Sequence, residues 1–201
     1  MNNAGIAHPK KGNTTPEKAE ESVMTNFTGT MGFTDEILDH IVDNGKIIFV
    51  TGCVSRGGYI GLSPTLKEKF TEGNTLTMEQ LMELKDLYLA NVHEGINRKK
   101  GWGAWEYEIS KLFNEVGCKI LGRSEKVLER GIQCYSCHPG MLKTDMTAWM
   151  GNSKFPAVET GTRLLIELIE KEFKINPTEQ GGYFDEDGSY LELKGKLGKK
   201  Y

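Results

Sequence analysis

No apolar run in the 201-residue chain approaches the ~20 residues of a helical membrane span, so a bilayer-crossing helix is not expected. The amino terminus also lacks the basic and apolar regions of a secretory leader. Cysteine is scarce. Cys53, Cys118, Cys134 and Cys137 are too scattered for the disulfide framework of a secreted scaffold, so reduced thiols and a cytoplasmic location are expected. Cys134-x-x-Cys137-His138 has no second Cys or His cluster to complete four ligands, so it reads as a strand end and no metal site is expected. Basic residues form no dense run before Lys194, Lys196, Lys199 and Lys200, and the formal net charge is −3. Nucleic acid and anionic membrane are therefore poor candidates for the main partner.

What is present is one domain's worth of alternating helix and strand, which calls for an α/β fold with a parallel sheet. Asn2-Asn3-Ala4-Gly5 reads as the end of a strand turning into a loop. After a polar loop with Gly12, Asn13 and Pro16, periodic apolar residues predict a helix from about Glu17 to Asp43, with Val23, Phe27, Met31, Phe33, Ile37, Leu38 and Ile41 inward. Lys46 to Thr51 is a continuous apolar strand, of the kind covered on both faces. Gly52 to Gly61 reads as a glycine-rich loop. Two polar helices follow, Pro64 to Phe70 and Met78 to Asn97, divided at Gly73-Asn74. A helix carrying Tyr107 runs to about Arg130, Gly131 to Cys137 is a strand, Ala157 to Phe173 is a helix, and Gly181 to Phe184 is a last strand before a turn at Asp185 to Gly188.

The chemistry concentrates at Tyr107 and Lys111. Four residues apart on a helix whose apolar positions are Ile109, Leu112, Phe113, Val116, Ile120 and Leu121, the phenol and the ammonium share one face. A tyrosine with its ordinary pKa of about 10 is a poor proton donor or base near neutrality, and a nearby cation favours its phenolate. The pair could therefore exchange a proton with a carbinol oxygen.

Taken in order, Asn2-Asn3-Ala4-Gly5, Asn26-Phe27-Thr28-Gly29-Thr30, the Lys46 to Thr51 strand, Tyr107-x-x-x-Lys111 and His138-Pro139-Gly140-Met141-Leu142-Lys143-Thr144-Asp145-Met146 resemble the short-chain dehydrogenase/reductase family. The Asn-Asn-Ala-Gly wording, the 63–100 insertion and Pro-Gly-x-x-x-Thr-Asp-Met are similar to its monomeric NADPH-dependent carbonyl reductase branch. The resemblance implies a partial doubly wound parallel sheet, the carboxy-terminal part of a Rossmann-type fold, with 63–100 as a helical insertion before the catalytic tyrosine in a single 1–201 domain. It implies reduction of a small carbonyl substrate by NADPH, with Tyr107 delivering the proton, Lys111 tuning it and binding the nicotinamide ribose, and Asn26 kinking its helix and holding a water. Asn3, Pro139, Gly140, Leu142 and Thr144 match cofactor-contacting positions, together with Tyr107 and Lys111. Asn3 also reads as a turn former. His8, Pro9, Lys10, Trp105 and Met141 are candidate pocket borders. The insertion would cover the helix face that other members use to dimerise, giving a monomer, or it is a surface decoration without a role.

Two departures qualify that picture. The family's carbonyl-binding serine falls on Gly52, which has no hydroxyl; Thr51 should point to the opposite side by strand alternation, and Ser55 lies in a loop from which it would have to move. Losing such a donor costs about two to three orders of magnitude in rate. The glycine-rich strand-to-helix turn that holds a pyrophosphate is also missing, since neither Gly101-x-Gly103 nor Gly57-Gly58-x-x-Gly61 reads as following a strand and opening a helix. The expectation is a carbonyl-reductase-like chain without its nucleotide-binding half and with weakened turnover. The rival is a shortened, non-catalytic relative that binds a partner through an uncovered sheet edge.

Overall fold

The computed structural model describes residues 1–9, 14–71, 75–170, 181–188 and 190–191. Lys10, Gly12 and Asn13 of the expected loop, Gly73-Asn74, residues 171–173 of the helix expected over 157–173 and the lysine tail lie outside them.

Strands β1 (Lys46–Val50), β2 (Gln133–Cys137) and β3 (Gly182–Phe184) are parallel neighbours, and β4 (Tyr190–Leu191) closes antiparallel on β3. On the far side of β1, Asn2 forms a parallel bridge to Phe49, its N–H donating to the Ile48 carbonyl at 2.7 Å and its carbonyl accepting from Val50 N–H at 3.0 Å. The Asn-Asn-Ala-Gly segment thus meets β1 in a single parallel bridge. Alternation along β1 sends Ile47 and Phe49 into a core with Leu38, Cys118, Val127, Ile132 and Cys134, and Ile48 into a second with Tyr135, Cys137, Leu164, Leu168 and Phe184. Apolar residues on both faces are what the continuous run requires.

The helix expected over 17–43 is in four pieces. Helix α1 (Pro16–Val23) is capped by the Thr15 hydroxyl and carries proline in its first turn; a π segment (Met24–Gly29) follows, then α2 (Thr30–Ile37) and a single 3₁₀ turn (Leu38–His40). Phe33, expected inside, is 58% exposed.

The presumed loop after β1 is instead a helix, α3 (Val54–Ile60). Its glycines serve close packing: a Cβ on Gly58 would stand 2.5 Å from the Glu108 carbonyl, and one on Gly57 would meet the Glu108 side chain at 3.3 Å. Helices α4 (Pro64–Thr71) and α5 (Met78–His93, with a Thr77/Gln80 capping box) follow. They are part of the main core rather than an appendage. Leu66, Phe70, Leu81, Leu84 and Tyr88 pack with Trp102, Phe113 and Val23. Helix α6 (Glu106–Gly122) stops at Arg123, and α7 (Glu125–Glu129) restarts after Ser124, where one helix to Arg130 was expected. Helix α8 (Val158–Glu170) buries Leu164 and Leu168 while Val158 and Ile169, at positions that periodicity puts on the same apolar stripe, are exposed.

Candidate active site

A cleft of about 640 Å³ opens at the carboxyl ends of β1 and β2. Its walls come from residues 1–7, the β1–α3 turn, the start of α6, the segment after β2 and the start of α8. Tyr107, Lys111, Asn3, Pro139, Gly140, Leu142, Thr144, Met141 and Trp105 all line it. Asn26, His8 and Pro9 do not.

Helix α6 presents Tyr107 and Lys111 one turn apart. The Lys111 ammonium lies 5.9 Å from the Tyr107 ring centroid and donates to the Val50 carbonyl at 2.9 Å, tying α6 to the end of β1. The phenol does not behave as the sequence suggests. Burial first, and then the field of Cys53, push the Tyr107 hydroxyl up to about 12, while burial draws Lys111 down to about 8. The cation faces the ring, so desolvation outweighs its pull on the phenol. The Tyr107 hydroxyl meets the Met146 sulfur at 3.6 Å.

Asn26 lies behind the cleft in the π segment. Its Oδ1 accepts from Ile6 N–H at 2.8 Å, and its Nδ2 donates to the Ile6 carbonyl at 2.9 Å and to Ser110 Oγ at 2.9 Å. The side chain clamps the 1–7 segment to the tyrosine helix. It sits where a π-type bulge departs from the regular ladder. A Cβ on Gly5 would stand 3.1 Å from both Asn26 Oδ1 and Lys111 Nζ, so glycine keeps this corner open.

Gly52 adopts φ +80°, a conformation a side chain would strain. Ser55 is no substitute donor, because it is buried on α3, not on a mobile loop. Its hydroxyl is held by the Gly52 carbonyl at 2.9 Å and by Glu115 Oε2 at 2.5 Å. Glu115 in turn lies 3.4 Å from Arg56, whose guanidinium stacks 4.2 Å over the Tyr183 ring. Burial pushes the Glu115 carboxyl up against the pulls of Arg56 and Ser55. Thr51, Cys53 and Val54 are among the residues that line the cleft, Thr51 itself being fully buried.

The opposite wall follows β2. Gly140 turns with φ +95°, and Thr144 caps a 3₁₀ segment (Asp145–Met150) in reciprocal hydrogen bonds with Thr147. That segment delivers Met146, Trp149 and Met150, which the sequence reading missed although they directly follow Thr144-Asp145. Trp149 meets Trp105 edge-on at 5.9 Å, and Trp105 lies 5.1 Å from Tyr107 with its indole N–H fixed on the His8 carbonyl at 3.0 Å. His138, at the cleft floor, is drawn down to about 4 by burial. Among the described residues no group of three or more His, Cys, Asp or Glu side chains could hold a metal ion, and no helix is long and apolar enough to cross a membrane.

No protein-family model matches the chain. Carbonyl reductase (NADPH) 1 of Rattus norvegicus is 34% identical over 150 residues, covering 73% of this chain and 53% of the relative. The chain thus spans about half the length of the curated relatives it matches. Among solved structures, salutaridine reductase from Papaver somniferum superposes with a TM-score of 0.69 at 22% identity over 85% of this chain and 55% of that one. The NADPH-bound carbonyl reductase from chicken fatty liver gives 0.59 at 17% identity, over 94% and 61% of the two chains. These likenesses establish the fold.

Proposed function

The chain belongs to the carbonyl reductase branch of the short-chain dehydrogenase/reductase family, and from that premise we propose that its cleft reduces a small aldehyde, ketone or quinone to the alcohol using NADPH. The observation that carries the reading is the joint placement of Tyr107 and Lys111 in one cleft, with Lys111 anchored on Val50.

Bound NADPH supplies the hydride that reduces the carbonyl carbon. The residues present suit the nicotinamide end of such a cofactor. The corner that Gly5 leaves open lies against Lys111 Nζ, which has donors beyond the one used on Val50. Asn3, Tyr107, Lys111, Pro139, Gly140, Leu142 and Thr144 are the residues we assign to hold it there. The strand-to-helix turn at Gly52 makes no pyrophosphate cradle, because Gly57 and Gly58 beyond it are consumed in packing on Glu108. In the reaction Tyr107 gives its hydroxyl proton to the carbonyl oxygen. A phenol held at about 12 keeps that proton at neutral pH until a developing alkoxide takes it. Lys111 stabilises the resulting phenolate, and Asn26 positions both helix and loop, the π segment around it being where a relay water would sit. We take 63–100 as an insertion in one 1–201 domain; α4 and α5 occupy the flank of α1 and α6, which favours a monomer. Four cysteines outside any disulfide suit a reducing cytoplasm.

The test is a titration of the chain with NADPH followed by nicotinamide fluorescence, and turnover of a quinone followed by NADPH absorbance. Saturable enhancement, with turnover falling by about two to four orders of magnitude in Tyr107→Phe, supports the reading. Equal turnover in Tyr107→Phe overturns it.

A further inference from the structure

Helix α6 grips the end of β1 twice. Lys111 donates to the Val50 carbonyl, and Glu115, one turn further along the same face, reaches Gly52 through the Ser55 hydroxyl. The second grip turns on a count of protons. Ser55 Oγ lies 2.9 Å from the Gly52 carbonyl and 2.5 Å from Glu115 Oε2, and both side chains are buried. Both neighbours are acceptors when Glu115 is ionised, and a hydroxyl has one proton to give. An ionised Glu115 takes that proton, because a charged acceptor makes the stronger bond. The Gly52 carbonyl then keeps only the Ser55 N–H, at 3.3 Å. A protonated Glu115 instead donates to Ser55 Oγ, and the serine proton serves Gly52. The two short contacts are hydrogen bonds together only in that second state.

Charged and titratable groups face Glu115 from three elements. Arg56 of α3 lies 3.4 Å away, Lys119 and Cys118 follow on α6, and Tyr183 comes from β3. Cys118 and Tyr183 are themselves pushed up by burial and stay neutral. Burial raises the Glu115 carboxyl above the usual carboxylate range, outweighing Arg56, Ser55 and Lys119, which favour its ionised form.

We propose that Glu115 is a positioning residue of the cleft: by taking up or releasing a proton it ties or frees, through Ser55, the Gly52 carbonyl in the turn that lines the cleft. Gly52 lines that cleft with φ +80°, so the tie bears on the one residue of the turn whose backbone a side chain would strain. Only the Glu115 O–H bond is made or broken, and its proton is exchanged with solvent. Only the reaction that the wall serves rests on the reductase reading.

The experiment uses the native chain without nicotinamide or substrate, so it can fail while the reductase reading stands. Labelling with ¹³C-carbonyl glycine and ¹⁵N-cysteine leaves two correlated resonances, because only Gly52-Cys53 and Gly117-Cys118 join those residues in that order. Cys53→Ala removes the first and so assigns it. From about pH 5 to about pH 9, a span in which buried carboxyls titrate, the Gly52 carbonyl resonance is expected to move upfield as its hydrogen bond from Ser55 Oγ is lost. Glu115→Gln, whose amide donates to Ser55 at every pH, should hold Gly52 at the acidic limit, and Ser55→Ala should hold it at the alkaline limit. Two stationary resonances in the native chain, a result that needs no variant to fold, would overturn the proposal. A Gly52 titration that persists in Glu115→Gln or in Ser55→Ala would do the same.

Discussion

The Tyr107 hydroxyl lies 3.6 Å from the sulfur of Met146, a residue that lines the cleft and is itself 39% exposed. A thioether is a weak acceptor, so it covers the phenol without satisfying it. Met146→Ala should let water reach the hydroxyl and bring the phenol down from about 12 toward its ordinary 10, because burial is the main cause of the elevation. Phenolate absorbance during an alkaline titration, with Tyr107→Phe as the blank, measures it. An unmoved titration would mean that Met146 contributes nothing to the desolvation.

Gly5 keeps open the corner shared by Asn26 and Lys111. In Gly5→Ala the new methyl meets both polar atoms at 3.1 Å, and the lysine, being the flexible partner, should yield. The expected outcome is weaker nicotinamide binding, by about tenfold for each 1.4 kcal/mol lost, with little change in thermal stability. Fluorescence titration against NADPH and a thermal melt separate the two effects. Equal NADPH affinity in both proteins would show that nothing binds in that corner.

His138 should make the fold acid-sensitive. The unfolded chain takes up its proton near pH 6.5, whereas burial delays protonation in the folded state to about pH 4. Between those values the unfolded state holds more protons, so stability falls as pH drops through the window, and above pH 6.5 the group contributes nothing. The loss reaches about 3 kcal/mol for a displacement of this size. Urea midpoints at neutral pH and near pH 4 measure it. His138→Asn should flatten the difference; an unchanged pH dependence in that variant would assign the acid sensitivity elsewhere.

The Arg56–Glu115 pair joins α3 to α6 with both side chains nearly excluded from solvent. Removing one partner strands the other charge, so Glu115→Leu should cost about 3–5 kcal/mol, while Arg56→Met with Glu115→Leu should recover most of it. Chemical denaturation of the single and double variants forms the cycle. Additive losses would mean that the two side chains act independently.

The strand Lys46–Val50 and the Tyr107/Lys111 pair were legible because each depends on local periodicity alone. Helix α3 was not. Its glycines argue for a loop, and only the close approach of Glu108 on α6, a contact across the fold, makes a glycine-bearing helix favourable there. Phe33, Val158 and Ile169 fit their apolar stripes yet remain exposed. Periodicity says which residues share a helix face, not whether another element covers that face. The wall at Met146 and Trp149 was missed for the same reason, since only tertiary folding brings the 3₁₀ segment over α6.

By itself the sequence determined the alternation of strand and helix apart from α3, the phase that aligns phenol with ammonium, and the lack of a hydroxyl at Gly52. The tertiary structure decided that Lys111 reaches the end of β1, that Ser55 is committed to Glu115, and that the phenol is held near 12. The division has a physical cause. Spacing along a helix or strand is fixed by backbone geometry, whereas burial, partners and proton affinity depend on residues brought together from distant parts of the chain.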